Sequence, residues 1–281
     1  MSKSPLIQKA SGEMQPFSQD KLEGSLRKAG ASDVIIDSII HEIVNWIEEG
    51  VTTKKIYTKA YNLLRQKQRS VAARYSLKKA IMDLGPTGYP FEHFVGQLIK
   101  QQGFDVLVGQ IIQGQCVEHE VDVVATSGNR QYLVECKFYN SQAKNANVKV
   151  PLYIHSRVND IIRKRQTIPK FNNMSFHGWI VTNTRFTTDA IDYGKCAGLH
   201  MVSWDYPKGH SLKEMIEAKG IFPITALTTL NKQQKQKLLD NGIVLCQQIC
   251  KEPQLLDSIG LKKNESEKVL LEAKDLSGEI K

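Results

Sequence analysis

The sequence predicts a multidomain α/β protein in which helical N-terminal and C-terminal sections flank a central α/β core with a mixed sheet. Three observations predict it. Beyond an extended first dozen residues, apolar positions recur at helical spacing up to residue 84 and again after residue 208, whereas strand-like segments fall between them. The run Gly85-Pro86-Thr87-Gly88-Tyr89-Pro90 holds two prolines and two glycines in six residues and separates the first section from the second. At 281 residues the chain exceeds one ordinary domain of roughly 100–200 residues, and 41% hydrophobic content supports more than one core. The units are placed at residues 1–86, 87–207 and 208–281.

In the first unit, Leu22, Leu26 and Ala29 share one helical face. Ile35, Ile36, Ile39, Ile40, Ile43, Val44 and Ile47 form a second stripe, and Ile56, Ala60, Leu63 and Leu64 a third. The second unit opens with a helix from Phe91 to Gln102, ended by Gly103. Strands over Val117–Ala125 and Gln131–Tyr139 flank Ser127-Gly128-Asn129, a hairpin signal. Trp179–Thr182 and Leu199–Trp204 read as later strands around a helix. The third unit is helical, with breaks at Asn241-Gly242-Ile243 and Ile259-Gly260-Leu261 that local physics reads as glycine helix caps.

No run approaches the roughly 18 apolar residues of a membrane span, and Met1-Ser2-Lys3-Ser4-Pro5 lacks a secretory signal, so a soluble cytoplasmic protein with no membrane partner is expected. The five cysteines are odd in number and lack zinc-like spacing, which points to free thiols. The net charge of +9 suits a polyanionic partner. Nine Lys or Arg lie between Lys54 and Lys79 with no acid, and seven lie between Lys144 and Lys170 against Asp160 alone. Each run reads either as an anion site or as the solvated face of an amphipathic helix.

The chemistry concentrates in Glu118-His119-Glu120-Val121-Asp122 and Val134-Glu135-Cys136-Lys137. Alternate strand residues share a face, so Glu135 and Lys137 project together, and hairpin pairing brings Asp122 beside them. Two carboxylates there suit a hard divalent cation, with Lys137 adjacent and Glu92 of the preceding helix as a third acid. Glu120 shares the face of Asp122 and stands as an alternative ligand; His119 lies off that face and reads as structural. A lone Glu-x-Lys is otherwise a surface ion pair worth about 0–1 kcal/mol.

The order helix-Glu92, strand-Asp122, strand-Glu135-x-Lys137, with Phe91-Glu92, Gly103-Phe104 and Ile180–Thr187, resembles the PD-(D/E)xK nucleases, and in particular their Mrr-like restriction endonuclease branch. The resemblance covers about residues 87–207. It implies cleavage of double-stranded DNA with Mg²⁺ (or Mn²⁺), Asp122 and Glu135 as metal ligands, Lys137 positioning or activating water and Glu92 assisting. Glu118-His119-Glu120 replaces the Gly-rich approach to the Asp, which leaves Glu120 open as the ligand.

Lys9 before a Gly turn and Lys21 at a helix start suit phosphate near helix N–H groups. Together with Lys9-Ala10-Ser11-Gly12, Phe17, Lys21-Leu22, Ala29-Gly30-Ala31, Gly50–Thr53 and Val71–Tyr75, they make residues 4–84 similar to the ATP-cone, a nucleotide-binding regulatory domain. The likeness implies that Lys9, Lys21 and Thr53 contact phosphates of ATP or dATP and that Tyr57 lies by the base or sugar. No GxxxxGK[ST] motif occurs, so regulatory binding without ATP hydrolysis is expected.

Leu227–Ile243 and Leu255–Ala273 look like tandem helix-hairpin-helix modules, in which Lys262 and Lys263 would meet DNA phosphates; the competing reading is a dimerisation bundle. Arg163, Lys164 and Arg165 are candidates to line the DNA path. A double-strand cutter needs two sites, which points to a homodimer. The leading expectation is a restriction or defence endonuclease regulated by ATP or dATP; the alternative is a non-catalytic nucleotide-sensing DNA-binding regulator.

Overall fold

The structure, a computed structural model, describes residues 5–9 and 11–278. Residues 1–4 (the chain start read for a signal), Ala10 of the Lys9–Gly12 motif, and residues 279–281 lie outside the described residues. Among the described residues no helix is long and apolar enough to cross a membrane.

The first unit begins with a hairpin of β1 (Leu6–Gln8) and β2 (Met14–Pro16). Five helices follow: α1 (Gln19–Lys28), α2 (Asp33–Trp46), α3 (Thr53–Lys67), α4 (Arg69–Tyr75) and α5 (Leu77–Met82). Ser18 and Thr52 cap α1 and α3 by accepting from the N–H groups of Lys21 and Lys55. The stripes read from the sequence close on one core of Leu22, Leu26, Ile36, Ile39, Ile43, Ile56, Ala60 and Leu64. Val44 is the exception: it points off the stripe and is 46% exposed.

The Pro/Gly run is a packed joint. Leu84 is fully buried, and Asn140 donates from Nδ2 to the Pro86 carbonyl at 3.0 Å. A Cβ on Gly85 would sit 2.6 Å from Asn140 Oδ1 and 2.7 Å from Phe138 Cε1, so only glycine allows this approach. Helix α6 (Tyr89–Lys100) starts two residues before the expected Phe91, because Pro90 suits a first helical turn and does not end the linker.

The central sheet contains β3 (Asp105–Gln113), β4 (Glu118–Ser127), β5 (Arg130–Lys137), β7 (Ser175–Thr182) and β9 (His200–Val202), in the order β3-β4-β5-β7-β9. A short parallel pair, β6 (Asn145–Ala146) with β8 (Arg185–Phe186), lies apart from it. The first three strands are antiparallel; β5, β7 and β9 run parallel, joined through α7 (Lys149–Arg165) and α8 (Thr188–Cys196). Val123, Ala125, Val134 and Cys136 face the core shared with α6, while Leu133, Ile180 and α7 residues Ile154, Val158 and Ile161 form the core on the other face.

Strand β3 has no counterpart in the sequence reading. It is interrupted by Gly109, at φ +64°, and its glutamines hide the alternation. Gly109 stands opposite Asp122, and both are skipped in an otherwise continuous ladder. Val106, Val108, Val123 and Ala125 pack on the α6 side, but Ile112 and Val121, beyond that point, pack on the α7 side. The two strands exchange faces together at the position of the candidate ligand.

The third unit comprises α9 (Leu212–Lys219), α10 (Lys232–Asp240), α11 (Cys246–Lys251), a 3-10 turn (Pro253–Ile259) and α12 (Lys263–Ser277). Gly242 and Gly260 supply positive φ at the two breaks. Leu227, Leu238, Ile249, Leu256 and Ala273 join a core with α5, α6 and one sheet face. Arg65 donates to the Thr228 carbonyl (2.9 Å) and Thr225 to that of Ala80 (2.6 Å), tying this unit to the first. Glu272, only 5% exposed, accepts from Thr228 N–H, Thr229 N–H and Thr229 Oγ1, which offsets the cost of burying its charge.

Candidate active site and nucleotide cavity

The β4–β5 ladder ends at Val123↔Val134, while β5–β7 continues to Lys137↔Thr182. Past that end, a carboxylate oxygen of Asp122 accepts the Cys136 N–H at 2.7 Å, a side chain standing where a strand carbonyl would otherwise pair. Strand β4 is thereby held off from β5 and a fork opens. Glu135 sits within it on the α7 side and accepts from Arg157 Nη1 at 2.9 Å. The other terminal nitrogen of Arg157 donates to the Glu120 carbonyl, and the guanidinium lies over the Tyr153 ring at 5.4 Å. One arginine therefore bridges both prongs. Glu92 reaches the fork from the first turn of α6, turned back over Gly88, where an added Cβ would lie 2.8 Å from its Oε1.

These acids stand in one another's field. Burial, then the charges of Asp122 and Glu120, raises Glu92 to about 7. Burial, then Asp122, raises Glu135 to about 7, against the opposing pull of Arg157 and Lys137. Asp122 is also raised, chiefly by burial, despite the Cys136 hydrogen bond. Lys137, exposed at the end of β5, lies in the field of both Asp122 and Glu135.

A cavity of about 560 Å³ adjoins the fork, lined by Glu118, His119, Tyr153, Arg157, Asp160 and Arg163 among others. His119 bonds Asp160 at 2.8 Å, and Asp160 also accepts from Cys116 N–H at 3.0 Å, pinning the β3–β4 connection to α7. The His119 hydrogen bond, with those from Cys116 and Val117, draws Asp160 down to about 2. In the first unit, a second cavity of about 200 Å³ is lined by Phe17, Lys21, Thr53, Ile56, Tyr57 and Tyr75, with the rings of Tyr57 and Tyr75 stacked at 5.0 Å. Burial raises the Tyr57 phenol.

Residues 5–83 match the ATP cone domain, residues 86–208 the restriction endonuclease family and residues 222–277 the family described as AF1548-like, C-terminal. Over 185 residues the chain is 32% identical to an uncharacterized protein of Archaeoglobus fulgidus, covering 66% of this chain and 100% of that one. The chain belongs to the AF1548-like family. A crystal structure titled as that of the protein of unknown function AF1548 matches it with a TM-score of 0.56 at 31% identity, covering 69% of this chain and 100% of the other. In this AF1548-like chain an ATP cone precedes the endonuclease domain, and the family's C-terminal domain follows it.

The structure brings Glu92, Asp122, Glu135 and Lys137 together at the fork, and Lys21, Thr53 and Tyr57 together around the cavity of the first unit. Lys9 instead pairs with Glu13 at 2.9 Å on the β1–β2 hairpin. Lys262 and Lys263 are exposed at the start of α12. The expectation of one DNA-facing trio on α7 is corrected. Arg163 lines the large cavity, but Arg165 is 8% exposed and stacks on Phe171 (4.9 Å) and Phe176 (5.5 Å). Sequence reasoning missed Arg157, Asp160 and Gly109; the available signal for Arg157 was its place beside the apolar Ile154–Val158 stripe.

Among the described residues no group of three or more His, Cys, Asp or Glu stands at metal-binding distance. The donors nevertheless suit a hard cation: Asp122 and Glu135 are carboxylates whose mutual repulsion a divalent ion relieves, and Mg²⁺ commonly takes only one or two protein carboxylates.

Proposed function

We propose that this chain is a metal-dependent DNA endonuclease regulated by ATP or dATP bound to its ATP cone. The observation that carries the reading is the fork, where three half-buried acids and Lys137 meet inside the segment matched to restriction endonucleases. Asp122 and Glu135 would hold Mg²⁺ or Mn²⁺, which when bound polarises the phosphodiester and favours deprotonation of water. The chain's own residues do the rest. Lys137 offers an ammonium to a phosphate oxygen, stabilising charge as it develops. Glu92, titrating at about 7, exchanges a proton with water near neutral pH. Arg157 fixes the rotamer of Glu135.

Arg163, Lys164, Lys262 and Lys263 serve as contacts to the backbone of double-stranded DNA, and a homodimer supplies two sites for a double-strand break. Restriction or defence in the cytoplasm is the setting in which such a nuclease works. Lys21, Thr53 and Tyr57, with Lys9 from the hairpin, hold the nucleotide. The cone is tied to the end of β5: Lys78 on α5 donates to the Asn183 carbonyl at 2.6 Å, and the Asn183 amide bonds both the N–H and the C=O of Tyr139, two residues past Lys137.

The Glu135–Arg157 ion pair favours a second reading, a non-catalytic nucleotide-sensing DNA-binding regulator, because it occupies one candidate ligand. Cleavage of plasmid DNA, methylated and unmethylated, with Mg²⁺ and with or without ATP or dATP separates the two. The endonuclease reading expects cutting by wild type, none by Glu135→Ala or Lys137→Ala, and a rate that changes with nucleotide; DNA binding without cutting on any substrate supports the regulator.

A further inference from the structure

A third cavity, of about 230 Å³, lies where the three units meet. Lys28 of α1, Arg74 of α4, Lys78 of α5 and Lys213 of α9 face it, against the single carboxylate of Glu217. The remaining walls include the faces of Tyr57, Tyr75 and Trp204. The partners of these cations leave most of the charge in place. Arg74 donates to the backbone carbonyl of Asp275 at 3.1 Å, and Lys78 to that of Asn183, with its ammonium 4.4 Å from the Trp204 ring centre. Among the described residues Lys213 pairs with a carboxylate, Glu217 at 3.6 Å, which also lies in the field of Arg74. Lys78 forms no ion pair among the described residues, and burial lowers it to about 8, a shift that the charge of Asp205 opposes only in part and that Arg185 adds to.

Cations gathered in a concave, partly apolar pocket focus positive potential, and carbonyl or aromatic partners orient a cation without neutralising it. We propose that this junction cavity is a binding site for a phosphate or polyphosphate group, distinct from the nucleotide cavity of the ATP cone. Its volume equals roughly seven or eight waters' share of the liquid, room for pyrophosphate but not for a nucleic-acid strand. The Tyr57–Tyr75 stack lines both cavities and forms a common wall. A phosphate group bound here touches α1, α4 and α5 of the cone, Trp204 just past β9 and α9 of the third unit, and so fastens the cone onto the endonuclease unit. That last consequence rests on the proposed regulation of the nuclease; the binding itself does not.

The test uses the full chain and inorganic pyrophosphate, followed by titration calorimetry and by tryptophan fluorescence, with Trp204→Phe as the control for the optical signal. Wild type is expected to bind one pyrophosphate. The double variant Lys28→Ala/Lys213→Ala, both at partly or fully exposed lysines, is expected to weaken it about tenfold or more, as loss of charge-assisted contacts does. Lys28→Arg/Lys213→Arg restores most of the affinity, and Lys21→Ala in the nucleotide cavity leaves it unchanged. An ATP arm identifies the source. Pyrophosphate binding that persists at saturating ATP assigns the site to a free phosphate compound; competition, with ATP binding also weakened by the double variant, assigns it to the nucleotide's own phosphates. The proposal is overturned if wild type binds no pyrophosphate, if the double variant binds as wild type does, or if Lys21→Ala abolishes binding. None of these readouts requires DNA cleavage, so failure of the nuclease reading and failure of this one are distinguishable.

Discussion

The fork between β4 and β5 and the cavities walled by the ATP cone are opposites in charge. At the fork, Glu92, Asp122 and Glu135 are half-buried together; burial raises all three, and the charge of Asp122 raises Glu92 and Glu135 further, with Arg157 as the guanidinium bonded to Glu135. On the cone side, Lys21 lines one cavity and Lys28, Arg74, Lys78 and Lys213 line the next, with Glu217 as the lone acid. Clustering like charges works against folding, so neither arrangement is explained by stability. One site is short of a cation and the other of an anion, and the same reasoning supports a metal at the first and a phosphate at the second.

The largest expected effect separates function from stability at the fork. Asp122→Asn keeps an oxygen able to accept the Cys136 N–H but removes a charge; it should cut DNA about a hundredfold or more slowly, while the metal-free protein melts no lower than wild type. A clear loss of stability would instead make Asp122 a structural residue, and the contrast with the cone would fail.

The next effect is in pH. Glu92 and Glu135 have folded values of about 7 against an ordinary 4.5. A raised carboxyl binds its proton more tightly in the folded state, so its contribution is full below about 4.5 and is lost as pH rises through about 7. Thermal melts of the metal-free protein should therefore show this contribution falling across that window, and the gain on adding Mg²⁺ growing across it. A flat profile in both series contradicts the account. The smallest expected effect lies on the other side: Tyr57→Ala removes one ring of the stack and should weaken ATP about tenfold by calorimetry, with no change in Mg²⁺ affinity.

How much of this was legible in the sequence depended on the range of the interaction. The helical stripes of the cone and the β4–β5 hairpin follow local periodicity, and pairing across Gly128-Asn129 was enough to bring Asp122 near Glu135. The fork itself rests on a side chain replacing a ladder partner, which no strand pattern encodes. On α7, consecutive residues are about 100° apart, so Arg163, Lys164 and Arg165 cannot share a face, and the inward turn of Arg165 was readable in principle. Which of the helix's cations would reach the fork was not: Arg157 is selected by the register of α7 on the sheet. Likewise the glycine breaks of the C-terminal unit were visible, but the docking of Thr225 and Thr228 on the cone pairs residues more than a hundred positions apart.

The most direct measurement of the central claim is Mn²⁺ binding, by calorimetry or electron paramagnetic resonance, to wild type and Asp122→Asn at pH 8 and pH 6. The account predicts saturable binding by wild type at pH 8, weaker binding at pH 6 as Glu92 and Glu135 take up protons, and none by Asp122→Asn. Equal binding by both proteins, or none by wild type at pH 8, would contradict it.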